Sequence, residues 1–221
     1  MGTITRNLAY NVLTGGVMNR PLIENASIAN ATSIPAAGGG SFTIVSKNTI
    51  TNDAYATFSS IGNHKSYLFT FNQVHPEDDN QDIMWQQTFD GSSWNGPKYG
   101  GCNEFLSSTT GSHGQYSYRD DFKVINNTGS QKFFRDVGNN NEEAMNGWLW
   151  IFQPGNTNTY KTYMGRTWGS IGDIAGTTDG TVAHMFNGFI NATSAITGFR
   201  FLAPSGNLQS GVITLYGLVQ S

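Results

Sequence analysis

Between Lys65 and Pro76 the chain alternates, with Tyr67, Phe69 and Phe71 at every second position and Leu68, Thr70 and Asn72 between them. Successive side chains of an extended strand point to opposite faces, so this spacing puts three aromatic rings on one side of a sheet. Such a row needs a facing apolar layer, and that requirement selects a sandwich or barrel. Shorter runs of similar character follow at Phe42–Ile50, Ala54–Ile61, Asp82–Phe89, Gln131–Val137, Trp148–Phe152, Tyr160–Trp168, Thr181–Ile190, Ile196–Ala203 and Val212–Val219. Most are separated by Gly, Asn, Asp or Pro clusters, and no helical period of apolar residues intervenes. The expected fold is all-β: an antiparallel, jelly-roll-like β-sandwich of low helix content.

Residues 1–40 read differently. Their apolar residues are scattered, and the segment closes on Pro35-Ala36-Ala37-Gly38-Gly39-Gly40, a flexible stretch. The expected organisation is an extended N-terminal arm or stem over 1–40 and a sandwich domain over 41–221. Within the arm, Asn25-Ala26-Ser27-Ile28 is echoed by Asn30-Ala31-Thr32-Ser33-Ile34.

Hydrophobic residues make up 38% of the 221-residue chain, enough to build a core, while charged residues reach only 12%. That is about half the usual share for a soluble domain. A sparsely charged surface meets other chains without desolvating many ions, so the composition suits an assembly. With a net charge of −3 and no basic run, no footprint for nucleic acid is present. No run approaches about 18 consecutive apolar residues, so no membrane insertion is expected. The single Cys102 excludes an internal disulfide and reads as a buried, inert thiol.

Chemistry-bearing motifs are few. Asp78, Asn80 and Asp82 have the alternate spacing of calcium ligands, but Ile83 stands where the calcium loop needs Gly, and a solvated turn is the simpler reading. His64, His75, His113 and His184 form no paired metal spacing, and no Gly-x-Ser-x-Gly elbow occurs. Thr88-Phe89-Asp90-Gly91-Ser92-Ser93-Trp94 is similar to the Asp-box turn of sialidase-type propellers. Its Asp and Gly are adjacent, however, and no second copy exists, so a hairpin tip over Asp90–Pro97 is expected. Residues 100–118 and 138–147 read as longer polar loops, where contact surfaces are built. Trp148 and Trp150 read as packing residues of a strand. Trp94, Tyr99, Tyr116, Tyr118 and Trp168 lie in or beside polar segments and are the candidates for glycan or partner contact. No catalytic, metal-ligating or cofactor-binding residue is expected.

The run Gly198-Phe199-Arg200-Phe201-Leu202-Ala203-Pro204-Ser205-Gly206-Asn207-Leu208-Gln209-Ser210-Gly211-Val212-Ile213-Thr214-Leu215-Tyr216-Gly217-Leu218 resembles the C-terminal strand pair of a group of tailed-bacteriophage virion proteins. Lys65-Ser66-Tyr67-Leu68-Phe69-Thr70-Phe71-Asn72-Gln73-Val74-His75-Pro76 is similar to the strand and "HP" turn upstream in the same group. The likeness covers roughly residues 41–221. It implies a non-enzymatic component of the virion surface, assembled in the bacterial cytoplasm, as a head decoration, knob or tail fibre. The expected partners are other virion proteins, bound through the arm, and further copies of the chain, with a homotrimer favoured. The alternative is a receptor-binding fibre tip that recognises host surface glycan. Independently of the resemblance, Val212, Thr214, Tyr216 and Leu218 alternate with Ile213, Leu215 and Gly217. A strand apolar on both faces belongs inside a sheet or interface.

Overall fold

The computed structural model describes residues 42–97, 99–108, 115–122, 124–125, 129–140, 142–171 and 180–218. The expected arm over 1–40 therefore lies outside the described residues. Strands dominate: β1 (Phe42–Asp53), β2 (Ala56–Ser59), β3 (Ser66–Pro76), β4 (Gln81–Thr88), β5 (Trp94–Asn95), β6 (Tyr99–Ser108) and β7 (Gln115–Tyr118). After a 3-10 turn at Asp120–Phe122 follow β8 (Val124–Ile125), β9 (Gln131–Val137), β10 (Met145–Phe152), β11 (Lys161–Ile171), β12 (Gly180–Ile190), β13 (Gly198–Leu202) and β14 (Leu208–Leu218). No α-helix occurs among the described residues.

All pairings are antiparallel. The larger sheet runs β1-β14-β3-β10-β11-β12-β6-β7, with β8 beside β6; the smaller runs β2-β13-β4-β5, with β9 beside β4. The two sheets pack face to face, so the fold is the all-β sandwich that the alternation requires. Its centre is aromatic. Tyr67, Phe69 and Phe71 of β3 point from the larger sheet toward Phe199 and Phe201 of β13 in the smaller one, with centroids 5.0 Å apart for Phe69–Phe199 and for Phe71–Phe201. Phe58 from β2 adds an edge contact at 5.4 Å to Phe69. Each edge-to-face pair contributes about 0.5–1.5 kcal/mol beyond area burial. A buried hydrogen bond also links the layers: Thr167 Oγ1 on β11 donates to Phe133 O on β9 at 2.7 Å.

β14 lies inside the larger sheet, paired with β1 on one side and β3 on the other, so both of its faces have neighbours. The turn from β13 to β14 uses Gly206 at φ +65°, and Ser205 Oγ donates to Asp78 there.

Two expectations are corrected. Residues 100–118 are not one long polar loop: β6 pairs with β12 over ten register positions, and β7 pairs with β6. The apolar alternation is missing from β6 because its inward positions hold Gly100, Cys102 and Glu104 instead of large apolar residues. Gly100 faces Gly188 across the ladder, and a Cβ on either would meet the Tyr163 hydroxyl, at 2.2 and 2.4 Å. Trp148 and Trp150 are strand residues of β10, as expected, and Trp150 packs against Phe42 and Phe152. The two tryptophans alternate with buried Leu149 and Ile151, and so face outward, half-exposed. The second expected loop is shorter than 138–147, because β10 begins at Met145.

Candidate functional site

The outward face of the larger sheet is unusually apolar. Cross-strand register builds one row from Ile44, Tyr216, Leu68, Trp150, Met164, Asn187 and Gly101. A parallel row runs Lys47, Thr214, Thr70, Trp148, Arg166, Met185, Asn103 and Tyr118. A third, shorter row places Asn146, Trp168, Ala183, Phe105 and Tyr116 side by side. Ile44 is 65% exposed, Tyr118 53%, Met185 49%, Trp168 45% and Met164 44%. Lys47 and Arg166 are the charged residues in these rows. At one end Phe42 meets Trp150 edge-on at 5.6 Å, and Trp150 stacks on Phe152 at 5.2 Å.

Between Trp168 and Phe105 the register residue is Ala183, and its small side chain leaves an open depression of about 620 Å³. Gln73, Glu142, Asn146 and Thr181 supply its polar margin.

Four of the five sequence candidates fall on this face. Tyr99 stacks on Phe189 at 4.5 Å, Tyr118 lies beside Gly101, and Trp168 lines the depression. Tyr116 takes the position opposite Phe105 on β7, and its side chain lies outside the described residues. The fifth candidate, Trp94, is elsewhere, on the outward face of the smaller sheet.

There the hairpin tip positions it. Asp90 Oδ1 accepts hydrogen bonds from Ser92 N at 2.8 Å, Ser93 N at 2.7 Å and Thr88 Oγ1 at 3.0 Å, while Oδ2 accepts from Ser93 Oγ at 2.7 Å. These bonds, led by that from the Ser93 amide, hold the Asp90 carboxyl well below the usual carboxylate range. The tip then delivers Trp94 opposite Thr88, with its ring over Gly198, 3.4 Å from where a Cβ would stand.

Beside Gly198 on the same face is Arg200, which the sequence reading overlooked. Its guanidinium carbon sits 4.3 Å from the Tyr55 ring centroid and 4.8 Å from that of Trp94. Its Nε donates to Gln86 Oε1 at 2.6 Å. Gln86 is only 9% exposed, so the guanidinium is anchored on a buried amide and clamped between two rings. Partial burial lowers its pKa from the ordinary guanidinium value, but it remains a cation at neutral pH. The one signal in the sequence was a lone Arg between Phe199 and Phe201, on the outward phase of a core strand.

A third polar cluster is internal. Glu104 accepts from Arg135 Nε at 2.5 Å and Nη2 at 3.1 Å, and its Oε2 lies 3.1 Å from His184 Nε2, with Arg119 Nη1 at 3.6 Å. Arg135 also pairs with Asp136. His184 is fully buried, stacked on Phe122 at 4.9 Å. Glu104 and His184 are both buried in the sandwich interior, where these ion pairs and ring contacts tie β6, β9 and β12 together.

The remaining motifs resolve into structural contacts. Asp82 pairs with Lys132 at 2.6 Å and Asp78 accepts from Ser205, which occupies the oxygens that the calcium spacing offered. Among the described residues no group of three or more His, Cys, Asp or Glu converges. His113 lies outside the described residues. Ser210 Oγ lies 2.6 Å from His75 Nε2, at an irregular step of the β3–β14 register. The imidazole rests on Pro76 O at 3.3 Å, with no carboxylate of the described residues behind it. Cys102 is buried, with its thiol 3.5 Å from Asn103 O.

No protein-family model, curated protein or solved structure matches this chain.

Proposed function

We propose that this protein is a non-enzymatic structural component of a bacteriophage virion surface, a jelly-roll-like knob that assembles with copies of itself and is anchored by residues 1–40. The observation that carries the reading is the outward face of the larger sheet. Eight strands at a spacing of about 4.8 Å make it about 34 Å across, ample for the roughly 800 Å² per partner of a stable interface. Isolated exposed apolar side chains are ordinary, but a contiguous aromatic and methionine surface of this extent marks a contact site.

Copies of this chain are the occupant that the charges favour. Lys47 and Arg166 are the charged positions in the rows, so different parts of this face can meet on neighbouring copies with few ions to desolvate. The Trp, Met and Tyr residues there are those enriched in interface cores. Three copies around a closed axis are the assembly proposed, since closure avoids open-ended filaments. The C-terminal resemblance supplies the virion setting. It rests on the same residues that form β13, β14 and the turn between them.

Two measurements test this reading. Light scattering on the purified chain at about 10 μM should give three times the chain mass; a folded monomer overturns self-assembly. Mass spectrometry and reconstruction of purified particles should place the chain in the virion, and its absence from particles overturns the setting.

A further inference from the structure

We infer that Arg200, Tyr55, Trp94 and Gln86 form a binding subsite for the carboxylate of an acidic sugar, on the face of the molecule opposite the proposed assembly surface. The subsite is independent of that assembly and uses none of its residues.

Geometry carries the argument. A guanidinium donates five hydrogen bonds from a flat fork, and here the Nε corner is already committed to Gln86. The Nη1–Nη2 edge has no carboxylate among the described residues to pair with. An end-on, two-point contact with a carboxylate is the strongest bond such an edge makes. The flanking rings determine which anion enters. Tyr55 precedes β2, whose Thr57 and Ala56 pair with Arg200 and Phe201, whereas Trp94 lies level with Gly198, so the rings stand on either side of the guanidinium along β13. With a ring centroid 4.3 Å away on the Tyr55 side and 4.8 Å away on the Trp94 side, the inferred subsite is a slot walled by the two rings. A flat carboxylate fits that slot, whereas a tetrahedral phosphate or sulfate carries oxygens out of the plane into the rings.

The ring edges beyond the slot serve the body of the ligand. Tyr55 is 46% exposed, and Trp94 is half-exposed at the rigid hairpin tip, so each presents apolar surface to the C–H faces of a sugar ring. Preparation of the cation also favours a ligand. Burial of Gln86 and the bonds to Asp90 fix Arg200 and Trp94 before anything binds, which lowers the ordering cost of association. A surface arginine serving solubility alone needs no such anchoring.

The test uses the full chain and follows the Trp94 indole N–H signal by NMR. Probes are galacturonate, glucuronate and N-acetylneuraminate, with the galacturonate methyl ester and inorganic phosphate as controls. At least one acidic sugar should shift the signal saturably. The ester and phosphate should bind at least about tenfold more weakly, as expected when a charge-assisted fork is lost. Arg200→Lys keeps the charge but loses the fork, and should weaken binding about tenfold in protein that circular dichroism shows to be folded. The inference is overturned if no acidic sugar shifts the signal up to about 10 mM, if ester or phosphate binds as well as acid, or if folded Arg200→Lys binds like the parent. The ester and phosphate comparisons need no variant, so the test stands even if Arg200→Lys fails to fold. A trimer without sugar binding, or sugar binding by a monomer, separates this result from the assembly reading.

Discussion

His184 donates from Nε2 to Glu104 at 3.1 Å in the buried interior, while its Nδ1 has no hydrogen-bond partner among the described residues. Burial dominates at the histidine and lowers its pKa, so the ring is neutral in the folded protein. At Glu104 burial alone would raise the pKa, but hydrogen bonds from His184 and Arg135 and the charge of Arg135 outweigh it and hold the carboxyl at about 2.

Both shifts act in the same direction. The unfolded chain binds a proton on His184 below about 6.5 and on Glu104 below about 4.5, and the folded protein binds each less readily. Stability should therefore be full near neutral pH, fall as pH drops through 6.5, and fall more steeply between 4.5 and 2. Thermal melts across this range check the profile. Glu104→Gln should cost about 3 kcal/mol at pH 7 by taking from Arg135 the buried one of its two carboxylate partners, and should flatten the lower limb.

Lys161 is fully buried, and its Nζ donates to Asn156 O at 2.6 Å, Ala192 O at 3.0 Å and Thr159 O at 3.3 Å. Lys161→Met preserves the stem but orphans three carbonyls. Urea denaturation should show a loss of about 2–4 kcal/mol with an unchanged m-value.

Gly188→Ala should be strongly destabilising although the site is a strand interior, where Ala is ordinarily the better residue. The new methyl would stand 2.1 Å from Tyr99 O and 2.4 Å from the Tyr163 hydroxyl, which donates to that same carbonyl at 3.1 Å. A loss of about 2 kcal/mol or more is expected by calorimetry, and Tyr163→Phe combined with Gly188→Ala should recover part of it.

Met164→Asp should convert the assembled protein into a folded monomer. Met164 is 44% exposed in the single chain and lies between Trp150 and Asn187, so the charge is harmless to the fold and costly in an apolar interface. Sedimentation with parallel circular dichroism separates loss of assembly from loss of folding; an unchanged oligomer counts against this face.

The elements legible in the sequence are those whose inward phase is apolar. Tyr67, Phe69 and Phe71 announced β3, and Gln131–Val137 was readable to the residue as β9. β6 was illegible for the opposite reason: two of its inward positions are a glycine under Tyr163 and a glutamate answered by His184, 80 residues away. Periodicity registers side chains, not the partners that make a small or charged one acceptable inside. The same limit applies to the candidate sites. Tyr99, Tyr118 and Trp168 were found as aromatics near polar segments, but their common face depends on a register between distant strands. Arg200 was hidden because its neighbours Tyr55 and Trp94 come from two other strands' ends.

Among the described residues β1 pairs within its sheet with β14 alone, so the first described strand is joined by the last. During synthesis β1 leaves the ribosome early and finds no backbone partner until Leu208–Leu218 has been made. At about 5–20 residues per second that interval is on the order of ten seconds. For its duration the nascent chain carries an open edge at Phe42–Asp53, next to Phe42 and Ile44, which remain exposed even in the finished fold. Chains on one polysome hold such edges close together, so the timing of translation bears on whether β1 waits for its own β14 or pairs with a neighbour's open edge.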